Sequence, residues 1–156
     1  MRILIAAVGR LKSGPEAEMS ADYVARAAAS GRQLGFKSID IVEVEARPHG
    51  DPRLEARELF KATPDDARKI LLDERGAEWS SRQLAEKLAR WRDGGQGHAV
   101  FWIGGADGVS QSVKDQADEK LALGRQTWPH RLVRVMISEQ IYRAVTILSG
   151  NPYHRD

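Results

Sequence analysis

The chain has 156 residues, a formal net charge of +2, 42% hydrophobic and 29% charged residues, and no cysteine. At this length one compact domain is expected, burying roughly 70% of the surface that the unfolded chain exposes. The lack of thiols excludes a cysteine nucleophile, a thiolate zinc site and a disulfide scaffold, and the weak net charge excludes a protein that grips nucleic acid through a global positive field.

The apolar run over residues 3–8 is too short for a secretory signal with a cleavage site, and nothing approaches a membrane span. A cytoplasmic protein is therefore expected, with no membrane and no DNA partner. The run from Arg2 to Val8, bounded by Gly9, suits a strand buried on both faces of a parallel sheet. Pro15 opens a helix with an apolar side that closes near Gly31. Residues 38–44 alternate as a second strand. A Pro- and Gly-containing loop follows over 46–52, then a charged helix over about 53–62.

Residues 68–73 read as a third strand, ended by a turn at Glu74-Arg75-Gly76. Ser80 and Gln83 form a capping-box pattern. Leu84, Leu88 and Trp91 then recur at helical spacing, so that helix lays one face on the core. Residues 98–103 are a fourth apolar strand, ending at Gly104-Gly105-Ala106-Asp107-Gly108. Ser110 is expected to cap a helix reaching about Glu119, with a short segment over 120–123 behind it. The last helix is expected over residues 130–148. Strands alternating with helices argue for an α/β fold with a mainly parallel sheet.

Ligands of open α/β sheets bind beyond the carboxyl ends of strands, where glycines let them approach the backbone. Gly104 to Gly108 is such a strand end, but it matches neither the dinucleotide fingerprint nor the phosphate loop. On spacing alone, a tight structural turn and a site are equally good readings. The stretch Leu72 to Gly76 can line the same crevice, and residues 124–129 read as a pocket wall. In the last helix Leu132, Met136, Glu139 and Arg143 form one stripe, and Val133, Ile137, Ile141, Val145 and Leu148 another. A helix apolar on that much of its circumference is expected to pack on its own core and on a partner subunit. Arg134 and Arg143 can be buried there only if paired or bound to anions. In the tail, residues 151–156, Tyr153 can stack on a base, His154 can titrate near neutrality and Arg155 can hold a phosphate. By composition alone the tail reads as a disordered polar end.

Taken together, these strings resemble one family. They are Ala7-Val8-Gly9-Arg10-Leu11-Lys12, Leu72-Asp73-Glu74-Arg75-Gly76 with Ser80-Ser81, and Ile103-Gly104-Gly105 with Gly108. To them belong Pro129-His130, Arg134-Val135, Glu139-Gln140-Ile141-Tyr142-Arg143-Ala144 and Pro152-Tyr153-His154-Arg155. In order and over the whole chain, they are similar to the ribosomal RNA large subunit methyltransferase H family of the SPOUT class. The resemblance implies a single domain over 1–156 with a C-terminal trefoil knot over about 98–150 and a functional tail. It implies a homodimer and S-adenosylmethionine as donor, with transfer to N3 of a pseudouridine in helix 69 of 23S rRNA on assembled ribosomes. The donor pocket it implies is Leu72, Gly104, Gly105 and the stretch Gly124, Arg125, Gln126, Thr127, Trp128 and Pro129. Family members usually carry Leu-Ser and a Met or Leu in that stretch, so backbone contacts are expected to survive better than side-chain ones. Transfer from a sulfonium requires no metal. The catalytic candidates are His130, Glu139, Arg143, Tyr153, His154 and Arg155. Two other readings stand beside this one: a SPOUT enzyme acting on tRNA, and a non-enzymatic α/β nucleotide-binding module.

Overall fold

A computed structural model describes residues 1–155. It contains five strands, β1 (Arg2–Val8), β2 (Ser38–Val44), β3 (Ala67–Glu78), β4 (His98–Ile103) and β5 (Glu119–Ala122). They form one sheet in the order β2-β1-β4-β3-β5. Every pairing is parallel, as the unbroken apolar runs of β1 and β4 require, since a strand covered on both faces needs no polar side. The helices are α1 (Pro15–Gly31), α2 (Pro52–Lys61), α3 (Ser81–Asp93), α4 (Gln111–Gln116) and α5 (His130–Ser149), with a single 3-10 turn at Arg32–Leu34.

The sheet separates two cores. On one face Ile3, Ile5, Ile70 and Phe101 meet Leu84 and Leu88 of α3 and Ile137 and Ile141 of α5. On the other, Ala6, Val8, Leu71 and Trp102 meet Ala56 and Leu59 of α2 and Val113 of α4. Trp102 is fully buried and donates its indole N–H to Thr63 Oγ1 at 2.8 Å, so its one polar atom is satisfied. The capping box of α3 is formed: Ser80 Oγ accepts from Gln83 N–H, and Gln83 Oε1 accepts from Ser80 N–H. Among the described residues no helix is long and apolar enough to cross a membrane.

Two boundaries differ from the sequence reading. The expected turn at Glu74-Arg75-Gly76 does not end β3. Leu72 and Ala77 both pair with Leu121, so residues 73–76 are looped out of a ladder that resumes behind them. Gly76 makes the detour possible: a Cβ there would lie 2.6 Å from the backbone carbonyl carbon of Lys120. Gly76→Ala must push two backbones apart and is expected to destabilise the protein by about 2–3 kcal/mol, read as a lower midpoint in urea unfolding. The second difference is α4, which stops at Gln116 instead of near Glu119. Ser110 makes no side-chain cap to the helix backbone; its hydroxyl pairs with that of Ser112. Glu119 is instead the first residue of β5, held by Arg68 at 2.9 Å and Lys87 at 2.6 Å.

Candidate active site

β1 leads through α1 to β2 on one side, and β4 leads through α4 to β5 on the other. The connections therefore diverge between the carboxyl ends of β1 and β4, the place where doubly wound sheets open a binding crevice. Beside that point lies a crevice of about 410 Å³, within the range of small-molecule sites. Its walls come from the detour of β3 (Leu72 to Arg75), the end of β4 (Ile103 to Ala106, Gly108, Val109), and the segment behind β5. His130 and Val133 of α5 close it.

The glycines make room there. A Cβ on Gly104 would lie 2.4 Å from Val109 Cγ1, and one on Gly105 about 3.0 Å from the Glu55 carboxylate and 3.3 Å from Val8 Cγ1. Gly108 N–H closes a tight turn onto Gly105 O at 3.2 Å. The structural-turn and site readings of this loop are thus compatible, because the turn shapes the wall. Gly124 has φ +89°, a left-handed conformation that suits glycine. Trp128 Nε1 donates to Leu123 O at 2.9 Å, closing the loop on itself, and Thr127 Oγ1 donates to Glu74 Oε2 at 2.5 Å, tying it to the β3 detour.

Of the nine residues expected around the donor, seven line this crevice: Leu72, Gly104, Gly105, Gly124, Gln126, Thr127 and Trp128. Arg125 and Pro129 do not. The Arg125 side chain is 95% exposed and points to Glu78 at 3.4 Å. Pro129 is the N-cap of α5, and its carbonyl accepts from Val133 N–H. Asp73, Glu74 and Arg75, from the stretch expected to line the crevice, do so; Lys114 lines it too without a sequence signal, because a short helix shows no clear period.

The six catalytic candidates do not form one cluster within a chain. His130, half-buried at the crevice, is the first residue of α5. Burial, then Arg131 and Arg134, hold its imidazole below the ordinary 6.5, so it is neutral near pH 7 with a lone pair free to take a proton. Arg143 lies thirteen residues further along the same helix, about 20 Å away at 1.5 Å per residue. There Glu139 Oε1 accepts from Arg143 Nε (2.9 Å), Arg143 Nη2 (2.6 Å) and Tyr153 Oη (3.0 Å). Arg143 Nη1 lies 3.4 Å from His154 Nδ1. The Tyr153 ring packs on Tyr142 with centroids 4.7 Å apart, and the Arg143 guanidinium lies 4.8 Å from the Tyr153 centroid. The tail is therefore folded onto α5, and the reading of a disordered end is corrected. Its polar atoms find partners and its aromatic ring finds an apolar one. Burial, and then the Glu139 hydrogen bond, push the Tyr153 phenol up to about 12. Tyr153 keeps its proton and acts as a donor. Arg155 is exposed, and Asp156 lies outside the described residues.

Arg134 is buried, as the sequence reading allowed only for a paired guanidinium. Its Nη1 donates to Glu43 Oε1, and its Nη2 donates to Gly9 O at 2.8 Å. Below the 121–124 segment lies a second hollow of about 500 Å³, among Tyr23, Trp79, Leu84, Met136, Glu139 and Gln140. Met19 and Leu132 are large apolar side chains exposed on the neighbouring faces of α1 and α5. Among the described residues no group of three or more acids and histidines is placed to hold a metal.

A family model described as "Predicted SPOUT methyltransferase" matches residues 1–154. Proteins named ribosomal RNA large subunit methyltransferase H from Paracoccus denitrificans, Roseobacter denitrificans and Phenylobacterium zucineum are each 51% identical to the chain over 156 residues. Each alignment covers all of both chains. With the strand-end crevice, the glycine-built walls and the C-terminal string in place, the chain belongs to the SPOUT methyltransferases and, within them, to the ribosomal RNA large subunit methyltransferase H family.

Proposed function

We propose that the protein transfers a methyl group from S-adenosylmethionine to N3 of a pseudouridine in helix 69 of 23S rRNA, on assembled ribosomes, as a homodimer in the cytoplasm. The observation that carries the reading is the crevice, which gathers seven of the expected donor-binding residues around one opening. The shared name of the relatives supports an rRNA substrate. The target nucleotide rests on the resemblance of the C-terminal string.

The crevice fits the donor chemically. Adenine needs apolar walls and backbone hydrogen-bonding groups, which Leu72, Leu121 and Val133 and the loops at 104–108 and 124–127 supply. The positive centres of the donor need nearby negative charge, and Asp73 and Glu74 stand on the β3 wall. Bound there, the donor supplies an electrophilic methyl group. The acceptor nitrogen must lose its proton, and a neutral imidazole at the crevice mouth is suited to take it. This assigns proton acceptance to His130. Arg143, oriented by Glu139, and the tail residues Tyr153, His154 and Arg155 cover the nucleotide and its phosphate.

Within one subunit the tail group sits nine to thirteen residues beyond His130, about 14–20 Å from it along α5. An isologous dimer with the two α5 helices antiparallel brings the C-terminal half of one helix to the N-terminal half of the other. The exposed Met19 and Leu132 and the apolar hollow beside them support this face as the dimer surface.

Calorimetry is expected to give micromolar donor affinity, roughly −8 kcal/mol. rRNA from a strain lacking the gene is expected to lose N3-methylpseudouridine in mass spectrometry. Persistence of that nucleotide removes the assignment, and loss of a tRNA methyl group instead favours the tRNA reading. Absence of donor binding favours the non-enzymatic module.

A further inference from the structure

Two of the strings that resemble the family, residues 7–12 and Arg134-Val135, do not line the crevice, yet they touch each other. Arg134 is 2% exposed, and its guanidinium bridges Gly9 O and the Glu43 carboxylate. The same Glu43 oxygen accepts from Leu11 N–H at 2.8 Å. The loop after β1 is thereby pinned at Gly9 and at Leu11, while Arg10 and Lys12 between and beyond these points are exposed. The loop starts at the crevice, because Val8 packs against Gly105. Arg134 lies one turn beyond His130, and Arg131 beside it is exposed.

Three exposed cations, Arg10, Lys12 and Arg131, thus stand on the loop after β1 and on the first turn of α5, the two elements that run up to the crevice at Val8 and His130. Arg10 pairs with Glu45 at 3.4 Å, a surface pair that contributes little and is easily exchanged. Lys12 has no ion-pair partner among the described residues. Arg134 Nε is buried without a hydrogen-bond partner. A buried, incompletely satisfied guanidinium is poor evidence for stability and is better explained by what it holds in place.

Resting on the rRNA-methyltransferase reading, we propose that the Gly9–Lys12 loop grips the phosphodiester backbone of the acceptor RNA beside the crevice. Arg134 is the positioning residue that presents Arg10 and Lys12 to it. The loop supplies a local grip that the small net charge does not.

The test compares wild type, the double variant R10A/K12A, R134M and the triple variant in steady-state methylation of ribosomes, with donor affinity measured by calorimetry. R10A/K12A is expected to raise KM for ribosomes about tenfold and to flatten the dependence of log KM on log salt by about 1–2, since two phosphate contacts are lost. Its kcat and donor Kd stay within about twofold. R134M is expected to raise KM similarly, and the triple variant no further, because an unpinned loop has already lost its grip. An unchanged KM and salt slope in R10A/K12A overturns the proposal, as does a loss confined to kcat or donor affinity. Additive effects in the triple variant remove the role of Arg134. R10A/K12A changes only exposed side chains, so it decides the question even if R134M does not fold. If wild type methylates no ribosomes, the rRNA reading fails and this inference falls with it; if wild type is active and R10A/K12A matches it, only the inference fails.

Discussion

His130→Ala is expected to lower kcat for methyl transfer by about 10²–10³-fold while leaving the donor Kd within about threefold. The imidazole edges the crevice without being its floor, so its loss removes a proton acceptor more than a binding surface. The pH profile separates this role from simple packing. Burial and the neighbouring Arg131 and Arg134 depress the His130 pKa below 6.5, so wild-type activity should be full near neutrality and fall as pH drops through that lowered value. The acid limb should vanish from the residual activity of the variant. Stability follows the same sign. The unfolded chain binds the proton first as pH falls below 6.5, so this histidine makes the fold less stable in acid, and the alanine variant loses that component. An unchanged acid limb in the variant would assign proton acceptance elsewhere.

Deleting residues 153–156 should lower kcat/KM for ribosomes at least 100-fold and leave donor affinity nearly unchanged. The tail stands on Glu139, Tyr142 and Arg143, nine to thirteen residues beyond His130 and about 14–20 Å from it along α5. Removing it strips the Tyr142 packing partner, which should cost about 1 kcal/mol of stability. A mixing experiment tests whether the tail acts across the dimer. Tail-deleted subunits retain His130, and H130A subunits retain the tail. A mixed dimer therefore holds one complete site, and an equimolar random mixture should recover roughly a quarter of wild-type turnover. No recovery on mixing would mean that the tail serves its own subunit, which requires it to leave the Glu139 cluster and swing along the helix.

The arrangement also accounts for Arg143, a charge that α5 can carry beside its core only when paired. Arg143 and Tyr153 share the Glu139 carboxylate, so that carboxylate orients two groups at once. Glu139→Gln should weaken both bonds, because hydrogen bonds to a charged acceptor are about twice as strong as neutral ones.

Most elements were legible from local pattern. The bounds of β1, α1, β2 and β4, the capping box of α3 and the start of α5 follow from apolar runs, Pro15 and the Ser80–Gln83 pair. These are short-range causes: strand burial, ring-fixed φ and reciprocal caps act within a few residues. The strand ends pointed to the crevice loops, and the resemblance named nine residues in them, of which seven line the crevice.

What sequence could not decide depends on partners distant along the chain. β3 continues past its apparent turn because Gly76 lets the backbone of β5 approach closely, and nothing local to residues 73–76 reports on Lys120. α4 ends early because Glu119 is captured by Arg68 and Lys87, from β3 and α3. Arg134 is a core residue only because Gly9 and Glu43 stand opposite it. The tail is ordered because an aromatic pair and one carboxylate await it on α5. By itself, then, the sequence determined the alternation of elements, the parallel sheet and the family. The tertiary structure decided that the catalytic candidates form two groups rather than one. A helix keeps residues thirteen apart about 20 Å from each other, however close they stand in the sequence.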